Sequence, residues 1–235
     1  GTNALRIDPN GQTFTNRGTL RAEGSGGLVF NAGVFDVENH SIDIDDGSKL
    51  DIETAVTIRR GTLQTSGSGT VNFLGNSNTL QEIVSEAVIN HANGLTQQII
   101  GGIENNSTYN LSSTGAVTTL NFNGSQTLSG TGVLVMSDNA NNRIINTNDI
   151  LTQAAGHTIR GAGQLFANTG GFNNEGTVIA DGVNELLIDV NGLTMVNNGV
   201  LRAEGSGGIR LNAGTITNLT SCLLYTSDAA DEKRW

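Results

Sequence analysis

The chain has 235 residues, among them 32 Gly, 29 Asn and 27 Thr, one Pro and one Cys, with a net charge of −10. Only 14% of residues are charged and Val, Ile and Leu recur regularly, which excludes a charged disordered chain; Gly has no three-residue period, so it is not collagen. No run reaches the 18 apolar residues of a membrane span, and an acidic surface with one lysine, Lys49, before the last fourteen residues repels phosphate backbones, so nucleic acid is excluded as a partner.

Taken in chain order, the first signal is alternation. Leu5-Arg6-Ile7-Asp8, Ile42-Asp43-Ile44-Asp45 and Leu50-Asp51-Ile52-Glu53 place apolar residues two apart, with polar residues between them. Period two puts Leu and Ile on one face of a strand and the polar residues on the other. Abundant Gly and Asn between such runs supply turns. Leu80, Ile83, Val84, Ala87 and Val88 also fit helical spacing, but dense Ile and Val favour a strand over Thr79 to Asn90.

Repetition is the strongest signal. Leu5 to Gly33 and Leu186 to Gly214, offset by 181, share 19 of 29 positions, including the whole run Leu20 to Gly27 against Leu201 to Gly208. Inside this long unit, Asn174 to Gly182 recurs as Asn197 to Gly205, a shift of 23. Thr127 to Leu134 returns as Thr158 to Leu165, a shift of 31, with a looser version at Thr57 to Leu63. Each short unit reads as strand, Gly turn, strand. A sandwich or barrel needs strands with different roles, whereas equivalent segments suit equivalent coils. The reading is an all-β right-handed parallel β-helix, a β-solenoid, over residues 1–220, with coils of roughly 20–31 residues. The left-handed kind resembles a six-residue repeat, which is not present. Leu20, Ile58, Leu63, Leu128, Ile159, Leu165, Val178, Ile188 and Leu201 sit at the apolar places of the motifs and are expected to point inward. Gly18 and Gly199, like Asn16 and Asn197, are expected in equivalent turns, with Asn amides stacking coil on coil.

Residues 221–235 read as a non-native tail. Cys222 to Trp235 hold the only Cys and the only Trp, and, back-translated, Cys222 to Glu232 resembles a transposase adapter from sequencing libraries. The tail is expected to pack poorly and add no rung. The missing initial Met suits a gene fragment. Without Cys222, disulfides and thiol catalysis drop out.

The motifs NNEGTVIADG, NRGTLRAEGSGG, TLSGTGVL and HTIRGAGQL resemble the repeats of giant secreted β-helical proteins of bacteria, the filamentous-haemagglutinin and autotransporter-passenger type of adhesin and related surface repeat proteins. The resemblance covers nearly all of residues 1–220. It implies a non-enzymatic structural or adhesive stalk, secreted or at the bacterial cell surface. Its expected partners are cell-surface or matrix carbohydrate or protein, met by a monomeric rod without a membrane span in this stretch.

Candidate sites are few. Asp43, Asp45, Asp46 and Asp51 form the densest carboxylate cluster, and calcium takes six to eight oxygens. Their spacing matches neither an EF-hand nor a glycine-rich calcium repeat, so they stand as weak metal candidates and no cofactor is expected. Asp45, Asp46 and Asp149 could be nominated for glycoside hydrolysis, which needs two carboxylates on one face. A carbohydrate-active enzyme and a calcium-stabilised surface-layer module are therefore the alternatives to the stalk. His40, His91 and His157 lack metal-like spacing and read as turn or surface residues. Gly24 to Gly27 and Gly205 to Gly208 lack the following Lys of a phosphate loop and read as turns. Arg21 with Glu23, and Arg202 with Glu204, are expected to pair with charges on neighbouring coils. Phe30, Phe35, Phe73, Phe122, Phe166 and Phe172 read as core.

Overall fold

In the computed structural model, which describes residues 2–147, 149–190, 192–212, 214–219 and the backbone of Leu223–Thr226, the chain winds as a parallel β-solenoid of about ten turns. Among the described residues there is no helix. Each coil carries strands on three faces. Coil one is Leu5–Ile7, Thr13–Thr15 and Leu20–Ala22; coil nine is Thr177–Ala180, Leu186–Asp189 and Thr194–Asn197. The first face is an eleven-stranded parallel sheet. Its strands from coil two onward are Leu28–Phe30, Lys49–Ile52, Thr70–Phe73, Ile89–His91, Thr108–Leu111, Val133–Met136, Thr158–Arg160, Thr177–Ala180 and Val200–Ala203, followed by Leu223–Thr226. The second and third faces run into one another in coils three to five. There the strands Val56–Thr65, Asn78–Glu86 and Thr96–Asn105 bend round the corner without a break.

Alternation sets what faces inward. On the first face the inner column is Leu5, Leu28, Leu50, Val71, Ile89, Tyr109, Leu134, Ile159, Val178 and Leu201, each in register with the next. From Leu28 on, every member is at most 3% exposed. Burying each such side chain contributes about 1.5–3 kcal/mol. All nine residues expected inside are inside, Leu20 being half-buried on the end coil. The six phenylalanines expected in the core are there, with Phe30 stacked on Phe35 at a centroid distance of 3.9 Å. The Leu80 to Val88 region is strand from Asn78 to Glu86.

The first-face register gives a coil of 18 residues (Val71 to Ile89) to 25 residues (Tyr109 to Leu134). The 23-residue shift is a true coil step, since Thr177 to Ala180 pairs with Val200 to Ala203. The 31-residue shift is not. Leu128 lies on the third face and Leu134 on the first, whereas their counterparts Ile159 and Leu165 lie on the first and the second. Ile58 and Leu63 use the same sequence pattern at the remaining corner, second face to third. The motif encodes a tight strand–corner–strand, and the three corners are alike enough for all to use it. At Gly161 the corner has φ 117°, and a Cβ would lie 1.9 Å from the Met136 carbonyl oxygen of the coil below, so only glycine fits.

The same holds for the long repeat. Strands in Leu5 to Gly33 fall on strands in Leu186 to Gly214, as equivalent turns require. Yet Leu5 is on the first face and its counterpart Leu186 on the second; Leu20 is on the third face and Leu201 on the first. The repeat thus advances by eight coils and one further face.

Outside, polar side chains stack too. Asn72 Nδ2 donates to Asp51 Oδ1 (2.9 Å), Asn90 Nδ2 to Asn72 Oδ1 (2.9 Å) and Asn110 Nδ2 to Asn90 Oδ1 (3.0 Å). A second column runs from Asn174 and Asn197, both buried, to Asn218, exposed on the end coil, with 2.7 Å bonds. Each coil so fixes the register of the next.

The tail departs from expectation in one respect. The backbone of Leu223–Thr226 pairs with Val200–Ala203 and adds a strand to the first face. An open parallel edge templates almost any short β-prone segment. Residues 220–222, with Cys222, and 227–235 lie outside the described residues.

Candidate functional site

A shallow groove lies on the third face of coils one to four. There the outward column Arg21, Asp43, Gln64, Glu86 is in register. Two adjoining shallow depressions of about 390 and 440 Å³ open over it, sharing Gln64 and Glu86. Asp45 and Ser66 line one, His40 and Thr62 the other.

Two of the three carboxylates there, Asp45 and Glu86, are tied, whereas Asp43 Oδ1 is buried without a hydrogen-bond partner among the described residues. Arg21 holds Asp45 through three hydrogen bonds, the shortest from Nη2 to Oδ2 at 2.7 Å, and also reaches Glu23 at 3.2 Å. Gln64 Nε2 donates to Glu86 at 2.7 Å. Asp46 sits at the next corner and accepts from the Ser68 backbone N–H and hydroxyl, both at 2.8 Å; the backbone bond chiefly holds its carboxyl below the usual range. Asp51 is on the first face, 2.5 Å from Lys49 Nζ. The four-aspartate cluster of the sequence is therefore divided: Asp43 and Asp45 border the groove, Asp46 caps a corner, and Asp51 belongs to another face. Among the described residues, no group of three or more His, Cys, Asp or Glu is placed to hold a metal.

Asp149 is on coil seven, five coils from Asp45 and so about 24 Å along the axis. That is beyond the 5–9.5 Å or so that glycoside hydrolysis asks of a carboxylate pair. Its carboxyl accepts from the Ser125 hydroxyl, which with the Ile150 N–H holds its pKa down. Glu86 and Gln64, which sequence reading missed, join the groove because the coil step returns to the same column after 21 and then 22 residues.

Other charges also pair between coils. Asp36, almost fully buried, is held by Arg60 and by Arg59 (2.7 Å), and the Arg60 hydrogen bond above all lowers its pKa. Arg160 pairs with Asp181, and Arg210 with Glu185 at 2.9 Å. Arg202 instead pairs with Glu204 on its own coil, at 2.7 Å.

The histidines divide differently from expectation. His40 is exposed. His91 and His157 are fully buried, a correction to the surface reading. His91 follows Ile89 by two and stands in an inner column between Phe73 and Leu111. Its Nε2 donates to the Leu95 carbonyl (3.0 Å), leaving Nδ1 to accept from the Tyr109 hydroxyl (3.1 Å). His157 Nε2 accepts from Asn105 Nδ2 (3.1 Å). Burial pushes both imidazoles down to about 4, so both are neutral at pH 7; burial raises the Tyr109 pKa. Alternation from Ile89 was the available signal for His91.

Among the described residues, no helix is long and apolar enough to cross a membrane. Comparison with protein-family models, with curated proteins and with solved structures gives no match.

Proposed function

We propose that the chain is a non-enzymatic structural or adhesive stalk segment of a large secreted or cell-surface repeat protein of bacteria. The observation that carries the reading is the unbroken inner column from Leu28 to Leu201, buried in every coil, with polar columns stacked alongside it. Such a coil-on-coil core makes a stiff spacer whose length grows by adding coils. Its long polar flanks suit weak contacts with cell-surface or matrix carbohydrate or protein, summed by multivalency.

The carbohydrate-active alternative draws on the third-face groove with Asp43, Asp45 and Glu86. Against it, Asp45 and Glu86 are engaged by Arg21 and Gln64. The calcium-module alternative requires carboxylates repeated at one coil position, whereas Asp43 is followed by Gln64 and Asp51 by Asn72. Hydrolysis and elimination assays on acidic and neutral polysaccharides, with wild type beside Asp45→Asn/Glu86→Gln, test the reading. The stalk predicts no turnover by either protein. Robust turnover by the wild type that the double variant loses would replace the stalk with the enzyme.

A further inference from the structure

Among the described residues, eight of the nine arginines and Lys49 are in ion pairs, and Arg143 is not. The neighbouring coils supply it no carboxylate. Coil six, residues 108–132, contains no Asp or Glu. Coil seven has two, both at corners and both taken. Asp138 accepts from the backbone N–H groups of Val183 (3.1 Å) and Asn184 (2.8 Å), and Asp149 accepts from the Ser125 hydroxyl. The acid of coil eight, Glu175, lies at the corner between the third and first faces, whereas Arg143 stands on the second.

Arg143 faces outward, in register between Thr119 and Gln164. Its Nε is buried and has no hydrogen-bond partner. Asn121 Oδ1, on the same face of the adjacent coil, is buried and unpartnered as well. On the first face Asn72, Asn90 and Asn110 satisfy one another because Asn stacks on Asn. Asn121 is followed instead by Ile145, which offers it no donor. A buried polar group without a partner costs free energy, so a donor and an acceptor orphaned on one outer face point to a group that comes from outside.

We propose that this patch, the second face of coils six to eight, is an interaction surface for an acidic polysaccharide whose sugar units carry carboxylates. The guanidinium of Arg143 is a fork of N–H donors that takes a carboxylate through two parallel hydrogen bonds. A ring hydroxyl of the same sugar unit donates to the Asn121 carbonyl, and the Gln164 amide beyond Arg143 both donates and accepts. The side chains of Asn121 and Arg143 are half-buried and turn outward to meet the ligand, which relieves both orphaned atoms. A sugar acid carries carboxylate and hydroxyl on one unit, whereas an acidic peptide side chain brings the carboxylate alone. Thr118–Phe122, Asn142–Asn146 and Gly163–Leu165 contain no acid, and charges more than about 8 Å away are largely screened at physiological salt, so the net charge of −10 does not bar an anion here. The inference rests on the reading of the rod as an adhesive stalk, and adds the face and the charge of what it meets.

The test is isothermal titration of the full chain with alginate, a polymer of sugar acids, beside dextran as a neutral polymer and polyglutamate as a peptide polyanion. Alginate should bind at least about 10-fold more tightly than either. Arg143→Gln should weaken alginate binding by about 10-fold or more with an unchanged melting temperature. Arg143→Lys, which keeps the charge and loses the fork, should weaken it by about threefold. Arg210→Gln removes a cation of the same column that Glu185 already pairs, and should change affinity by less than about twofold. No binding of alginate, equal binding of polyglutamate, or equal losses from Arg143→Gln and Arg210→Gln would overturn the inference and leave the stalk reading standing. Cleavage of alginate by the wild type would overturn the stalk reading, and this surface with it.

Discussion

Residues 5–33 and 186–214 are nearly one sequence in two settings. Both form the same succession of strands and corners, yet they stand on different faces, and one is covered where the other is open. Strand and corner are therefore written locally, by alternation and Gly placement. The face a segment occupies is set by the accumulated length of all coils before it, and its burial by the neighbouring coil.

The largest expected effect follows from coverage. Leu186→Ala empties a filled site and should cost about 2–5 kcal/mol. Leu5→Ala, at the same place in the repeat, should cost no more than about 0.5 kcal/mol. Urea titration of the two variants measures the contrast, and similar losses would break the comparison.

Acid should act between the copies, since neither contains histidine. His91 in coil five and His157, just before coil eight, are held near 4 against an ordinary value near 6.5. The unfolded chain binds protons on them in that window and the folded chain does not. Their contribution is complete above about pH 6.5 and is lost as pH falls towards 4, about 3 kcal/mol for each. Below that, carboxylates held low, such as Asp36, lose stability in the same direction. Stability measured from pH 7.5 to 4 should fall steeply, and His91→Gln should flatten the curve by about half.

Gly199→Ala should cost about 1–3 kcal/mol, because a methyl would strike the Gly176 carbonyl; Gly18→Ala should be neutral or stabilising by less than about 1 kcal/mol. Melting temperatures separate the two, and equal effects would mean that coil one is covered after all.

The smallest effect belongs to the tight corners between the copies. Glu82 is exposed and left-handed at φ 53°, beneath Gly101 at φ 73°. A side chain pays for that conformation where glycine does not, so Glu82→Gly should stabilise by under about 1 kcal/mol. A loss would point to a role for the Glu82 carboxylate beside Arg60.

Much of this fold was legible in the sequence. The apolar places of the repeated motifs put Ile58, Leu63, Ile159 and Ile188 inside, and the 23-residue shift from Asn174 to Asn197 was the real coil step. The 31-residue match misled because similar corner sequences serve three different corners, so similarity alone does not report phase. The acidic cluster misled because neighbours in sequence are parted by a corner: Asp45 and Asp51 lie on different faces. Glu86 entered the groove by stacking, which only the register reveals. His91 was hidden because a polar residue in an inner column looks like a surface one until its partners, Tyr109 and the Leu95 carbonyl, are placed.

The most direct test of the repeat's phase is a walk of cross-strand amide contacts by nuclear magnetic resonance along the outer column of the first face. Starting at Arg6, the structure leads through Val29, Asp51, Asn72, Asn90, Asn110, Val135, Arg160 and Ile179 to Arg202. The walk should reach Arg202, the counterpart of Arg21, on its ninth step. A walk that instead reached Leu187, the counterpart of Arg6, after eight steps would mean that the repeat spans whole coils, and would contradict this phase.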